Sequence, residues 1–321
     1  MPGRVGGTRS RKLAEVTVMG VVTLGYDGSP ESEAAADWAA EKAVREDKAL
    51  RVRYAWEWSP YSLVLMDAET EQRWVENLAR QEASRLAKRY RGLRVTGEHV
   101  AGPPAEALIA HCRDSEMVVL GSRALSSAHG FLVGSVAQSM AARSDRPVAL
   151  IRVPTAPSTE TGPPSAPLAG RREVAVGVDH SADIGGLLAV AFDEAAQRGL
   201  ALHAVHCWRP HGIAAVDSGL LSDARKSELI REEETRLDGI IRPWAEKFPG
   251  VEVVGDVHLG RPAEYLVHVS HQAALIVVGR RENRHELAGP RMGHVTHAVM
   301  HHAQAPVVVV PERPEGDGWV R

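Results

Sequence analysis

Val118-Val119-Leu120-Gly121-Ser122-Arg123-Ala124, then nine residues, then Gly134-Ser135, is the stretch from which the fold can be read. An apolar run ends in glycine, a loop follows, and a Gly-Ser pair opens a helix-like segment. A strand, loop and helix N-terminus in that order make an anion site. The unpaired backbone N–H groups and the positive end of the helix dipole both favour phosphate. The two glycines let a ligand approach the backbone, and Ser135 adds a hydroxyl. The same plan recurs in altered form from Val277-Val278-Gly279-Arg280 to Gly293-His294.

That recurrence extends over the whole chain. Val21 to Ser29 matches Val174 to Ser181, with Asp27 opposite Asp179. Tyr54-Ala55-Trp56 matches His206-Cys207-Trp208, and Gly102-Pro103-Pro104-Ala105-Glu106 matches Gly260-Arg261-Pro262-Ala263-Glu264. Arg146 to Ile151 matches Ala305 to Val310. Two copies in one order predict two domains, at 16–154 and 172–312. The segment 155–171 is rich in Pro, Ser, Thr and Ala and reads as a flexible linker. Residues 1–15 read as a disordered basic arm and 313–321 as a tail.

In the first copy, strand-like runs fall near 18–26, 50–56, 93–100, 116–121 and 147–153. Helical stretches fall near 30–46, 65–90, 104–113 and 134–143. Ser29-Pro30-Glu31 is a helix start, with Ser as cap, Pro in the first turn and Glu on the positive dipole end. Alternation of strands and helices predicts an α/β fold: two tandem doubly wound, Rossmann-like domains, each a five-stranded, mostly parallel sheet with helices on both faces. Such sheets bind ligands beyond the carboxyl ends of their strands. That rule selects Asp27, Trp56 and Gly121. The last strand of each copy, at Val148 to Val153 and Val307 to Val310, is apolar and ends its sheet. The simplest cover for each is the other, giving an internal pseudo-dimer; pairing between molecules, giving a homo-oligomer, is the alternative.

Composition excludes several classes. The chain has 321 residues, a net charge of −3 and 44% hydrophobic content, so no nucleic-acid footprint is expected. No apolar run is long enough to span a membrane. Two cysteines, Cys112 and Cys207, in different halves fit a reducing compartment, and a cytoplasmic location is expected.

These residues resemble the universal stress protein family in its tandem form. The family's hallmark, Gly-x2-Gly-x9-Gly-(Ser/Thr), is met here by Gly121, Gly134 and Ser135, and its opening by Asp27-Gly28-Ser29. The resemblance implies that the first copy holds ATP or a related adenine nucleotide, with Mg²⁺ a possible companion. It implies that the glycine loop cradles the phosphates and that residues after the first two strands lie along ribose and adenine. Carried onto this sequence, the binding residues are Asp27, Gly28, Ala55, Gly121, Ser122, Arg123, Gly134, Ser135 and Val136. The altered second site comprises Asp179, Gly279, Arg280, Gly293 and His294. The family's dimers, which meet through the last strand, point to the same pseudo-dimer.

The chain departs from the hallmark. Ala124 stands for the second glycine, and alanine disfavours a left-handed backbone by about 1–2 kcal/mol, so a shifted loop is expected if that backbone is needed. In the second copy Glu282 stands there, the spacer is ten residues and His294 replaces Ser/Thr. Glu282 repels phosphate, whereas Arg280, Arg281, Arg284 and Arg291 could offset it. Loss of the second site is the expectation, and an altered ligand the alternative.

Other groupings are weaker. His294, His297 and His301 share a helix face at metal-like spacing, yet solvated histidines are the ordinary reading, and no metal site is expected. Ser126, Ser127, Ser135 and His129 lack the elbow of a hydrolase. Trp56, Trp58 and Trp208 read as packing. The expected function is a non-catalytic, nucleotide-binding stress regulator with an unidentified protein partner. A slow ATPase and a ligand-free, chaperone-like protein are the competing classes. No lysine follows the glycine loop and no general base is evident, so at most weak ATP hydrolysis is expected.

Overall fold

Strands that are apolar on both sides need helices over both faces, and that demand organises this chain. A computed structural model describes residues 20–57, 68–124, 131–153, 173–180, 184–208, 222–280 and 292–312. The arm, linker and tail lie outside those residues, as do Trp58, Ser126, Ser127, His129, Arg281, Glu282, Arg284 and Arg291. The first half runs β1 (Val21–Gly25), α1 (Pro30–Arg45), β2 (Ala49–Trp56), α2 (Ala68–Arg89), β3 (Val95–Ala101), α3 (Pro104–His111), β4 (Met117–Ala124), β5 (Phe131–Leu132), α4 (Ser135–Arg143) and β6 (Val148–Arg152). The second half runs β7 (Glu173–Gly177), α5 (Gly185–Arg198), β8 (Ala201–Trp208), α6 (Asp223–Lys247), β9 (Val253–Leu259), α7 (Pro262–Val269), β10 (Ala273–Arg280), α8 (His294–His302) and β11 (Val307–Pro311).

All strands but β5 join one sheet in the order β3-β2-β1-β4-β6-β11-β10-β7-β8-β9. Within each half these strands are parallel, and β6 meets β11 antiparallel, with Val307 opposite Leu150 and Val309 opposite Val148. The expected pairing of the two last strands is therefore how the halves join. Alternate strand residues face opposite helix layers. Val119, Ala149 and Val308 pack with α1, α2, α5 and α6. Val118, Leu150 and Val307 pack with α3, α4, α7 and α8. Each of the valines and the leucine, fully buried, contributes about 1.5–3 kcal/mol.

Matching positions fold alike. The Gly102 N–H donates to the Trp56 carbonyl at 3.1 Å, and the Gly260 N–H to the Trp208 carbonyl at 3.2 Å. One element differs from expectation. The fourth strand does not stop at Gly121. It continues to Ala124, whose partner is Phe131 in the short antiparallel β5. Ala124 is thus extended, and Asp47 is the non-glycine residue with positive φ among those described. The strain anticipated at Ala124 does not arise.

Polar groups also cross the seam. Arg152 on β6 donates to the carbonyls of Val299, Met300 and Ala305, at the C-terminal end of α8 and just beyond it. Arg280 on β10 donates to the carbonyl of Ala141 near the end of α4. Cations thus meet the negative ends of two helix dipoles. On the other layer Lys42 of α1 reaches Glu194 of α5 at 2.6 Å and Glu46 at 2.5 Å, all three side chains being buried. Arg198 completes the cluster, bonding Glu194 at 3.0 Å and stacking over Trp38.

Burial would raise the Glu194 pKa, but Lys42 and Arg198 outweigh it and hold the carboxyl at about 2. Its folded pKa is depressed, so its contribution is complete above the ordinary value of 4.5 and is lost as pH falls from there towards 2. Denaturant unfolding should show a steeper acid loss between those limits for the parent than for Glu194→Gln. At neutral pH, Lys42→Met should cost about 3–5 kcal/mol, since it strands buried carboxylates.

Candidate functional site

In a doubly wound sheet the crevice opens where neighbouring strands send their connections to opposite faces. In the first half that point lies between β1 and β4, where Gly25 is opposite Leu120. Asp27 and Gly28 follow β1, and Gly121 and Ser122 lie on β4. Gly134 and Ser135 open α4, and Ala55 lies near the end of β2. The topology therefore brings Asp27, Gly28, Ala55, Gly121, Ser122, Gly134, Ser135 and Val136 to one end of the sheet. Arg123 belongs to the extended part of β4, paired with Leu132.

The glycines do different work. A Cβ on Gly121 would lie 2.5 Å from the backbone carbon of Glu31 and 2.7 Å from the Ser32 nitrogen. Gly121 is therefore required by close packing of β4 on the start of α1. Gly28 has φ of +78°, which a side chain would strain. Gly134 has φ of −61° and open space where a Cβ would stand. It caps α4 without any side-chain hydrogen bond, so the first N–H groups of α4 have no side-chain cap. The hydroxyl of Ser122, on β4, is buried with no hydrogen-bond partner. Asp27 takes part in capping α1: its Oδ1 accepts from the Ser29 N–H at 3.0 Å and the Ser29 hydroxyl at 2.5 Å. The Ser29 hydroxyl oxygen in turn accepts from the Ser32 N–H at 3.2 Å. Trp56 sits 6.5 Å from the His99 ring.

The second half holds a cavity of about 450 Å³ at the matching place. Its lining includes Asp179, Gly279, Arg280, Gly293 and His294, the five residues expected for the altered site. Thr296, which sequence reasoning passed over, donates to the Gly279 carbonyl at 2.6 Å. It ties the two ends of the glycine loop together, and alanine, Ala137, occupies its place in the first half. Gly293 repeats the backbone of Gly134, with φ of −62° and ψ of 150°. Cys207 lines the same cavity, and burial pushes its thiol up to about 12, so it is an unreactive wall. Of the helix histidines, His297 and His301 have ring centroids 4.4 Å apart. Among the described residues they join no grouping of three ligating side chains.

The model of the universal stress protein family matches residues 19–152 and again 170–311. The chain belongs to the universal stress protein family. A universal stress protein of Mycobacterium tuberculosis is 36% identical over 302 residues, covering 90% of this chain and 96% of the relative. Another from that organism is 32% identical over 322 residues, covering 94% and 98%. Among solved structures, a universal stress protein from Archaeoglobus fulgidus superposes with a TM-score of 0.65 at 17% identity, covering 91% of this chain and 98% of that one. At that identity the likeness is one of fold. Among the described residues no helix of this universal stress protein is long and apolar enough to cross a membrane.

The two glycines of the first site should respond unequally to one methyl group. Gly121→Ala should lower stability by about 1–3 kcal/mol, because helix and strand must separate. Gly134→Ala should cost less than about 1 kcal/mol, the price of a poorer helix cap. Denaturant unfolding of the two variants measures both.

Proposed function

We propose that this universal stress protein is a non-catalytic regulator that binds an adenine nucleotide, ATP being the leading candidate, at the β1/β4 crevice of its first half. One observation carries the reading. The orphaned hydroxyl of Ser122 and the uncapped N-terminus of α4 are donors without partners, at the end of the sheet where this fold binds ligands. A phosphate group supplies the acceptors they lack. The residues therefore suit the nucleotide: Ser122, Gly134, Ser135 and Val136 would take the phosphates, and Gly28 and Ala55 would border the ribose and base. Asp27 would stand at the ribose or at a phosphate-bound Mg²⁺, since a carboxylate among bare phosphates repels them. Nucleotide occupancy would then alter the surface offered to a protein partner in the cytoplasm.

The second half favours an altered ligand over a lost site, because its residues line a formed cavity in the size range of small-molecule pockets. Its lining sets Arg280 and His294 beside the carboxylates Asp179 and Glu312.

Full-length protein stripped of nucleotide and titrated with ATP and AMP by calorimetry tests the assignment. Gly134→Glu should abolish tight binding, since it fills the cradle with like charge, whereas Gly293→Glu should leave the first site intact. Equal ATP affinity in Gly134→Glu and the parent would refute the placement. Phosphate release near the background rate is expected; rapid turnover would instead identify a hydrolase.

A further inference from the structure

The second half gathers three ligating side chains that the first half lacks. His180 follows β7, His206 lies on β8 and Glu233 lies on α6. One ligand atom from each lies within 4.8 Å of the other two, the only such group of three among the described residues. The Nδ1–H of His206 donates to the Val178 carbonyl at 3.0 Å. That bond fixes the tautomer, so Nε2 carries the lone pair. Glu233 Oε2 is 3.8 Å from that nitrogen, too far for a hydrogen bond. Arg236 holds the other carboxylate oxygen at 2.8 Å and so orients the group. The Nε2 atom of His180 is buried without a hydrogen-bond partner, and its ring lies 3.8 Å edge-on from that of His206. The three ligand atoms thus lie together, and among the described residues His180 Nε2 has no hydrogen-bond partner.

We infer that His180, His206 and Glu233 form a divalent metal site, of the class that takes Zn²⁺, in the second half of the chain. Two imidazoles and one carboxylate are a zinc ligand set, and three protein ligands leave a fourth position for water or an anion. His206 also lines the cavity, so a ligand there can meet the metal. Zinc bonds of about 2.0–2.2 Å at tetrahedral angles place ligand atoms roughly 3.3–3.5 Å apart, so binding draws the three groups slightly inward. Burial and the neighbouring His206 lower the His180 pKa. Asp179 and Glu233 add negative charge around the rings, and Arg236 opposes it. In the first half Gly28 and Tyr54 stand at the positions of His180 and His206, and Leu78 of α2 lies against Gly28. The site is thus a property of the second half and does not depend on nucleotide binding in the first.

Full-length protein treated with chelator, then titrated with Zn²⁺ by calorimetry and with Co²⁺ by visible absorption, tests this. One equivalent should bind, Co²⁺ should give the intense bands of a low-coordinate site, and Zn²⁺ should raise the melting temperature. His206→Gln and Glu233→Gln should each weaken binding about tenfold or more and remove the thermal shift. The glutamine variant of Glu233 keeps the side-chain shape, and its folding is checked by circular dichroism. His297→Ala should bind as the parent does. No metal uptake by the parent, or uptake unchanged in both triad variants, would overturn the inference.

Discussion

The edge strand is the constraint on which this molecule depends. A strand that is apolar on both faces and ends a parallel sheet presents an open row of N–H and C=O groups, and water cannot cover its side chains. Val148 to Leu150 and Val307 to Val309 are such strands, and they cover each other in antiparallel register. The pairing turns two five-stranded sheets into one of ten. It also continues both helix layers across the join, so Ala149 and Val308 share one core and Leu150 and Val307 the other. Neither half could be peeled away without exposing two fully buried valine-rich surfaces.

Once the strands are joined antiparallel, the C-terminal end of each half's sheet lies beside the N-terminal end of the other's. The polar contacts follow from that geometry. Arg152 leaves the end of β6 where α8 terminates, and Arg280 leaves β10 where α4 terminates. Each guanidinium satisfies carbonyls that a helix end leaves bare. Burial lowers the Arg152 pKa to about 9, so carbonyl dipoles must be supplied in number for the charge to remain. Lys42, Glu46, Glu194 and Arg198 hold the opposite layer in the same way. Buried networks of this kind add less net stability than apolar packing would, but misalignment strands their charges, so they select one docking of the halves.

What was legible in the sequence follows the range of the interactions. The strand and helix pattern, the cap at Ser29 and the repeat are local signals, and they forecast the doubly wound sheet and the pairing of last strands. The two-residue β5 has no periodicity to read, so the sequence ends β4 three residues before the structure does. Glycine at position 121 reads as room for a ligand, yet the backbone of α1 also occupies that space, a fact that only packing reveals. Lys42 and Glu194 resemble solvated helix residues until α1 and α5 meet across the seam. His180, His206 and Glu233 come from three elements spread along the second half, and no spacing rule joins them. The available clue was comparative: His180 and His206 replace Gly28 and Tyr54 at matched positions.

That comparison explains how the halves diverged. Duplicated domains joined by one seam keep their cores alike, because β6 and β11 must fit each other. The strand ends lie beyond the paired stretch of β6 and β11 and are freer to change. There Ser122 became Arg280, Ala137 became Thr296 and Gly28 became His180, when the two halves are read against each other. Each exchange puts a larger polar group in the second half. A larger group at a strand end must find partners or stay hydrated. Arg280 found the carbonyl of Ala141, and Thr296 found that of Gly279. His180 found no hydrogen-bond partner for its buried nitrogen. An unpartnered buried nitrogen costs about 1–3 kcal/mol, and a fold carries such a cost more readily where a ligand removes it.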